Sequence, residues 1–169
     1  VVQEPVYTGN NELVEGYKAN IRSTDRRVLG VVSDRYKVVQ NVEAFNFTDE
    51  LLGAGVRYET AGSLQNGRRT WILAKLPQRY IISGDEITPY LVFMNSHDGS
   101  GAIKAAMTPI RVVCMNTLNL ALSTAKRTWS ADHVGDIQGK LEDARDTLLY
   151  AGRYMEELGK AIDGLNKIR

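Results

Sequence analysis

Residues 96–118, SHDGSGAIKAAMTPIRVVCMNTL, bring together a histidine, an aspartate, an arginine, the only cysteine of the chain and an Asn-Thr pair. Cys114, His97 and Asn116 are the residue types of a thiol protease. A thiolate reacts only where it is exposed and held in positive surroundings. A helix begun at Thr108-Pro109 puts Cys114 in its second turn between Val113 and Met115, turned toward a core and slow to react. His97, Asp98 and His133 could supply three metal ligands, but no two of them have the i, i+4 spacing of a preformed site, and the chain holds only two histidines. The expectation is a protein that is not an enzyme, with no catalytic residue, metal or cofactor.

Anion binding suits the stretch better. HDGSG is a polar, Gly-rich turn whose backbone amides can converge on an anion. A helix start at Thr108-Pro109-Ile110-Arg111 would add a positive macrodipole and a guanidinium. His97, Asp98, Arg111, Asn116 and His133 therefore form a candidate corner for a small anionic ligand or nucleotide. No Walker or GxGxxG pattern accompanies it, so nucleotide hydrolysis is not indicated. In the structural alternative, Asp98-Gly99 makes a tight turn, Ser96, Asp98 and Ser100 satisfy it, and Arg111 pairs with Asp98.

The chain has 169 residues and a net charge of +1, unevenly spread. Residues 57–130 carry nine basic and four acidic side chains, between two stretches that are each mildly acidic. A basic middle points to an anionic partner. Within it, aromatics interleave with cations: Arg68, Arg69 and Trp71, then Lys75, Arg79 and Tyr80. On a strand, Arg69 and Trp71 share one face, which could offer charge plus a stacking ring to a single-stranded nucleic acid. The alternative is a core Trp flanked by surface arginines. Lys18, Arg22, Arg26, Arg27, Arg35 and Lys37 make a second basic cluster that could lengthen the track.

The elements that must position these residues read as follows. Short β-prone runs open the chain, PVYTG and RRVLGVVS among them. Val42, Phe45, Leu51 and Leu52 predict a helix over 41–52, stopped by Gly53 and Gly55. VRYETAGSL, QNGR and RTWILAKLP predict a hairpin through an Asn-Gly turn. EITPYLVFMNS gives a third strand, where Pro89 suggests an edge or an irregular start. AIKAAMT gives a fourth and KRTWS a short fifth. A helix is expected over 109–124, with Thr108 as its cap and Pro109 in its first turn. Ile137, Leu141, Ala144, Leu148, Ala151, Met155, Leu158, Ile162 and Leu165 then form an a/d seam alternating four and three residues apart. Such a seam suits packing on its own domain or on another chain, and its regularity favours the second. The fold class is therefore α+β: an antiparallel β-meander packed by helices, with a long C-terminal heptad helix. The organisation expected is a core over 1–130 and the heptad helix over 131–169, within a longer chain. No stretch approaches the roughly 18 apolar residues of a membrane span.

LGVVSDRYKVVQNVEAFNF, SHDGSGAIKAAMTPIRVVCMNTL and the DHVGDI that leads into the last helix resemble the phage- and plasmid-associated domain-of-unknown-function family 932. The likeness covers nearly the whole chain. Members usually carry a His-Thr pair where this chain has His133-Val134, so only His133 carries over. The resemblance brings no catalytic residues. It implies DNA metabolism in the cytoplasm of a bacterial host. The helix, meander, helix order is also similar in architecture to ring-forming single-strand annealing recombinases. Together these give the expectation of an oligomeric protein that binds DNA, single-stranded, through its basic residues, without a membrane. The alternative is a non-catalytic phage accessory protein that binds a small anion or nucleotide.

Overall fold

The computed structural model describes residues 1–52, 57–76, 80–82, 85–125 and 127–148. Strands β4 (Arg57–Leu64) and β5 (Arg69–Lys75) form the hairpin that the Asn-Gly turn predicts, with Asn66 at φ +61° and Gly67 at φ +93°. β8 (Tyr90–Ser96) pairs with β5, β9 (Ile103–Thr108) with β8, and β10 (Arg127–Ala131) with β9, all antiparallel. The five-stranded order is β10-β9-β8-β5-β4. A small hairpin of β6 (Tyr80–Ile82) and β7 (Asp85–Ile87) is inserted between β5 and β8. Pro89 thus marks an irregular start and not an edge, because β8 lies in the centre of the sheet. Pro89 precedes the strand, and its carbonyl accepts from the Leu76 amide.

Both faces of β5 and β8 are buried, so these strands read as nearly continuous apolar runs. Ile72, Leu91, Phe93, Ile103 and Ala105 point to one face. There they meet Val39, then Ala44 and Phe47 of α1 (Asn41–Leu52), then Leu141, Ala144 and Leu148. Trp71, Leu73, Val92, Met94 and Ala106 point to the other, against Val112 and against Leu118 and Ala121 of α2 (Met115–Thr124). Full burial of side chains of this size stabilises by about 1.5–3 kcal/mol each.

Residues 137–148 are helical, and we call this segment α3. Its seam positions Ile137, Leu141, Ala144 and Leu148 pack on the sheet of their own chain. That corrects the preference for an intermolecular seam over this part. The later positions, Ala151 to Leu165, lie outside the described residues.

A second sheet, β1 (Val2–Tyr7), β2 (Leu13–Ile21) and β3 (Val28–Ser33), precedes α1. It is antiparallel and ordered by sequence. Among the described residues no helix is long and apolar enough to cross a membrane.

Candidate nucleic-acid interface and the buried corner beside it

The loop from β8 to β9 is wedged between the two sheets. Gly99 takes φ +77°, which favours glycine, and the Asp98 carboxylate turns back into the loop. Asp98 Oδ1 accepts from the Ser100 amide at 2.9 Å and from the hydroxyls of Ser96 and Ser100, each at 2.6 Å. The loop is therefore filled by its own anion. Burial raises the Asp98 pKa, but the Ser100 and Ser96 hydrogen bonds outweigh this and hold it below its ordinary value. From above, β3 presses on the loop. A Cβ on Gly30 would stand 2.6 Å from the Asp98 Cα, so glycine is needed for the approach. Asn20 of β2 donates to the His97 carbonyl at 2.7 Å, and the His97 amide donates to the Arg68 carbonyl at 2.7 Å.

His97 and His133 both lie in this corner and are 1% and 3% exposed, which decides their protonation. His133 Nδ1 lies 3.0 Å from the Lys37 carbonyl, which only accepts, so Nδ1 carries the proton. His97 Nε2 lies 3.0 Å from Asn41 Oδ1, which also accepts from the Thr70 hydroxyl, so Nε2 carries the proton there. The other two nitrogens, His97 Nδ1 and His133 Nε2, are buried without a partner among the described residues. Burial pushes the His97 pKa down to about 4, helped by the Val1 amino group and His133 and opposed by Asp98. Burial lowers that of His133 as well, against its bond to the Lys37 carbonyl. Tyr36 stacks on His133 at 4.4 Å between ring centroids and donates its hydroxyl proton to the Ser96 carbonyl. Tyr36, Asn20, Asn41 and Asn95 escaped the sequence reading, and only their polarity within apolar runs marked them. Among the described residues no group of three or more His, Cys, Asp or Glu side chains could hold a metal ion.

The rest of the anion corner is elsewhere. β9 runs from the Asp98 loop at one end to Thr108 at the other, so Arg111 and Asn116 lie about a strand length, roughly 17 Å, away. Arg111 pairs with Glu59 at 3.4 Å and not with Asp98. The helix expected over 109–124 begins only at Met115. Thr108 is the buried last residue of β9, and its hydroxyl accepts from the Ile110 amide, forming a turn where a cap was expected. Residues 109–113 carry no helical turn, which removes the macrodipole expected at Arg111. Cys114 is exposed at the α2 start instead of facing the core. The Thr117 amide, the Thr117 hydroxyl and the Asn116 amide lower its thiol pKa.

The two basic clusters meet at one place. Arg22 donates to the Asn66 carbonyl at 3.1 Å, joining the β2–β3 turn to the β4–β5 turn. This sets Arg22, Arg26 and Arg27 beside Arg68 and Arg69. Arg22 and Arg27 share Asp25, at 2.5 and 3.8 Å, and Arg26 pairs with Glu4. Arg69 donates to Ser100 at 3.0 Å, while exposed Arg68 has no ion-pair partner among the described residues. Five arginines thus stand against the three carboxylates Asp25, Glu4 and Asp98. Lys75 is at the opposite end of β5 from this turn, and Arg35 and Lys37 follow the far end of β3. Trp71 is 5% exposed within the α2-side core, so its ring is not offered to a base. Tyr80 belongs to β6, and Arg79 lies outside the described residues.

A mixed domain with a helix-covered antiparallel sheet, a basic double turn and a sealed histidine corner defines the class of this protein. The chain matches the family described as Domain of unknown function (DUF932) over residues 28–169, and it belongs to that family. No curated protein and no solved structure matches it.

Proposed function

We propose that this protein binds nucleic acid without catalysis, with single-stranded DNA as the ligand and the joined β2–β3 and β4–β5 turns as the contact surface. The observation that carries the reading is the Arg22–Asn66 bond, which merges two basic segments more than 40 residues apart into one surface. Arg26, Arg27 and Arg68 are exposed there and would meet phosphates. Binding of this kind releases counterions, so affinity falls steeply with salt. Assembly into an oligomer that anneals strands, in the cytoplasm of a phage- or plasmid-bearing bacterial cell, is the finer form of the reading. The test is anisotropy of a labelled single-stranded oligonucleotide between 50 and 200 mM salt, about the range over which such contacts weaken. Arg68→Ala and Arg27→Ala should each lower the salt slope by about one. Equal slopes for both variants and the parent protein would refute this surface.

A further inference from the structure

A cleft of about 310 Å³ opens between α1 and the β4–β5 hairpin, at the small end of the range for ligand sites. Its size follows from the sequence. Ala61, Ser63 and Thr70 are small residues on the α1 side of the sheet, in register with Ile72 and with each other, and they face Ala44. Phe45 and Phe93 supply aromatic walls, and Tyr58 stands edge-on to Phe45 at 5.1 Å between centroids. Among the described residues no charged side chain lines the cleft. Its polar groups are nonetheless specific. Asn41 Oδ1 is occupied by Thr70 and His97, which leaves the Asn41 amide donors without a partner among the described residues. The Ser63 hydroxyl likewise has none. An aromatic wall, free amide donors, a hydroxyl and no charge suit a flat uncharged heterocycle that presents hydrogen-bond acceptors.

Thr70 lines this cleft two residues from exposed Arg68, a rise of about 7 Å along the strand. A phosphate held at Arg68 therefore leaves its own base within reach of the cleft. We propose that the cleft receives one unstacked base of the bound single strand, packed on Phe45 and hydrogen-bonded by Asn41 and Ser63. The inference rests on the nucleic-acid reading and assigns a base-recognition site that the basic turns alone do not supply. Phosphates set position along the turns, and the cleft adds a sequence-tolerant grip on one base.

The test compares an intact oligonucleotide with one of equal length and charge made wholly of abasic sites. The parent protein should bind the intact strand about tenfold more tightly. Ala61→Leu fills the cleft from an exposed position on the edge strand, so the fold should hold. It should erase that preference and leave the salt slope unchanged, and Ser63→Leu should do the same. Equal, salt-dependent binding of intact and abasic strands by the parent overturns the base site while the phosphate surface stands. Failure of both strands to bind overturns both readings. A fall in solution mass on Ala61→Leu would assign the cleft to a second copy of the chain, and that too overturns the proposal.

Discussion

Two ends of one sheet, both drawn from residues 96–118, have opposite characters. At the β8–β9 end, His97, Asp98 and Ser96 are enclosed between two sheets and held by hydrogen bonds to Asn20, Asn41 and Ser100. At the α2 end, Arg111 and Cys114 are exposed, and Arg111 makes a surface ion pair with Glu59. Adjacent residue types that look like one constellation are separated by the length of a strand. A strand moves chemistry apart by about 3.3 Å per residue, whereas a helix would have advanced the same stretch by only about 1.5 Å per residue.

The enclosed end should be far more sensitive to change than the open one, and the largest effect belongs to its closest approach. Gly30→Ala forces a Cβ against the Asp98 backbone and should cost about 3 kcal/mol, read from the denaturant midpoint. A variant as stable as the parent would mean that β3 does not press on this loop. Next comes acid. His97 has a folded pKa of about 4 against 6.5 when unfolded, so the unfolded chain binds the proton first. Stability is therefore complete above about pH 6.5 and falls as pH drops toward 4. The loss by pH 4.5 should be about 2.5 kcal/mol, with His133 adding in the same direction. Urea midpoints across this range measure it, and a flat profile would show that His97 is solvated. Tyr36→Phe keeps the stack on His133 but leaves the Ser96 carbonyl without its hydroxyl donor, at a cost of about 1–2 kcal/mol.

At the open end, Arg111→Ala should change thermal stability by less than about 1 kcal/mol, because its partner is a partly solvated carboxylate. Cys114 should label rapidly with a thiol reagent in the native state at neutral pH, and Cys114→Ser should fold as the parent does. Slow labelling that speeds up only on unfolding would erase the contrast between the two ends.

Where local signals agreed, the elements were legible in the sequence. The Asn66-Gly67 turn, the helix at Asn41–Leu52 and the strand at Ile103–Thr108 follow from residues close together in the chain. β2 was missed, since LVEGYKANI has a glycine at φ +79° and buries Asn20 where an apolar residue would have signalled a strand. The Thr108-Pro109 pair has the chemistry of a helix start, yet pairing of Thr108 with Tyr90 keeps that residue in the sheet. Cross-strand pairing outweighed a cap worth about 1 kcal/mol. The histidine corner was visible only as residue types. Its tautomers depend on contacts such as Lys37 to His133, 96 residues apart, which no local pattern encodes. Trp71 shows the same limit: alternation places it on a face, but only the arrival of α2 decides that the face is covered.

The β1–β2–β3 sheet bears on where this protein can be cut. The family match begins at Val28, the first residue of β3, so β1 and β2 lie ahead of it. Among the described residues β3 takes its only strand partner from β2, and Asn20, which holds the His97 carbonyl, also lies upstream. A fragment trimmed to the matched residues would keep the floor of the corner and lose its roof, leaving a bare strand edge beside two histidines that water could then reach. The span matched by the family and the span that closes this corner are different lengths of the same chain.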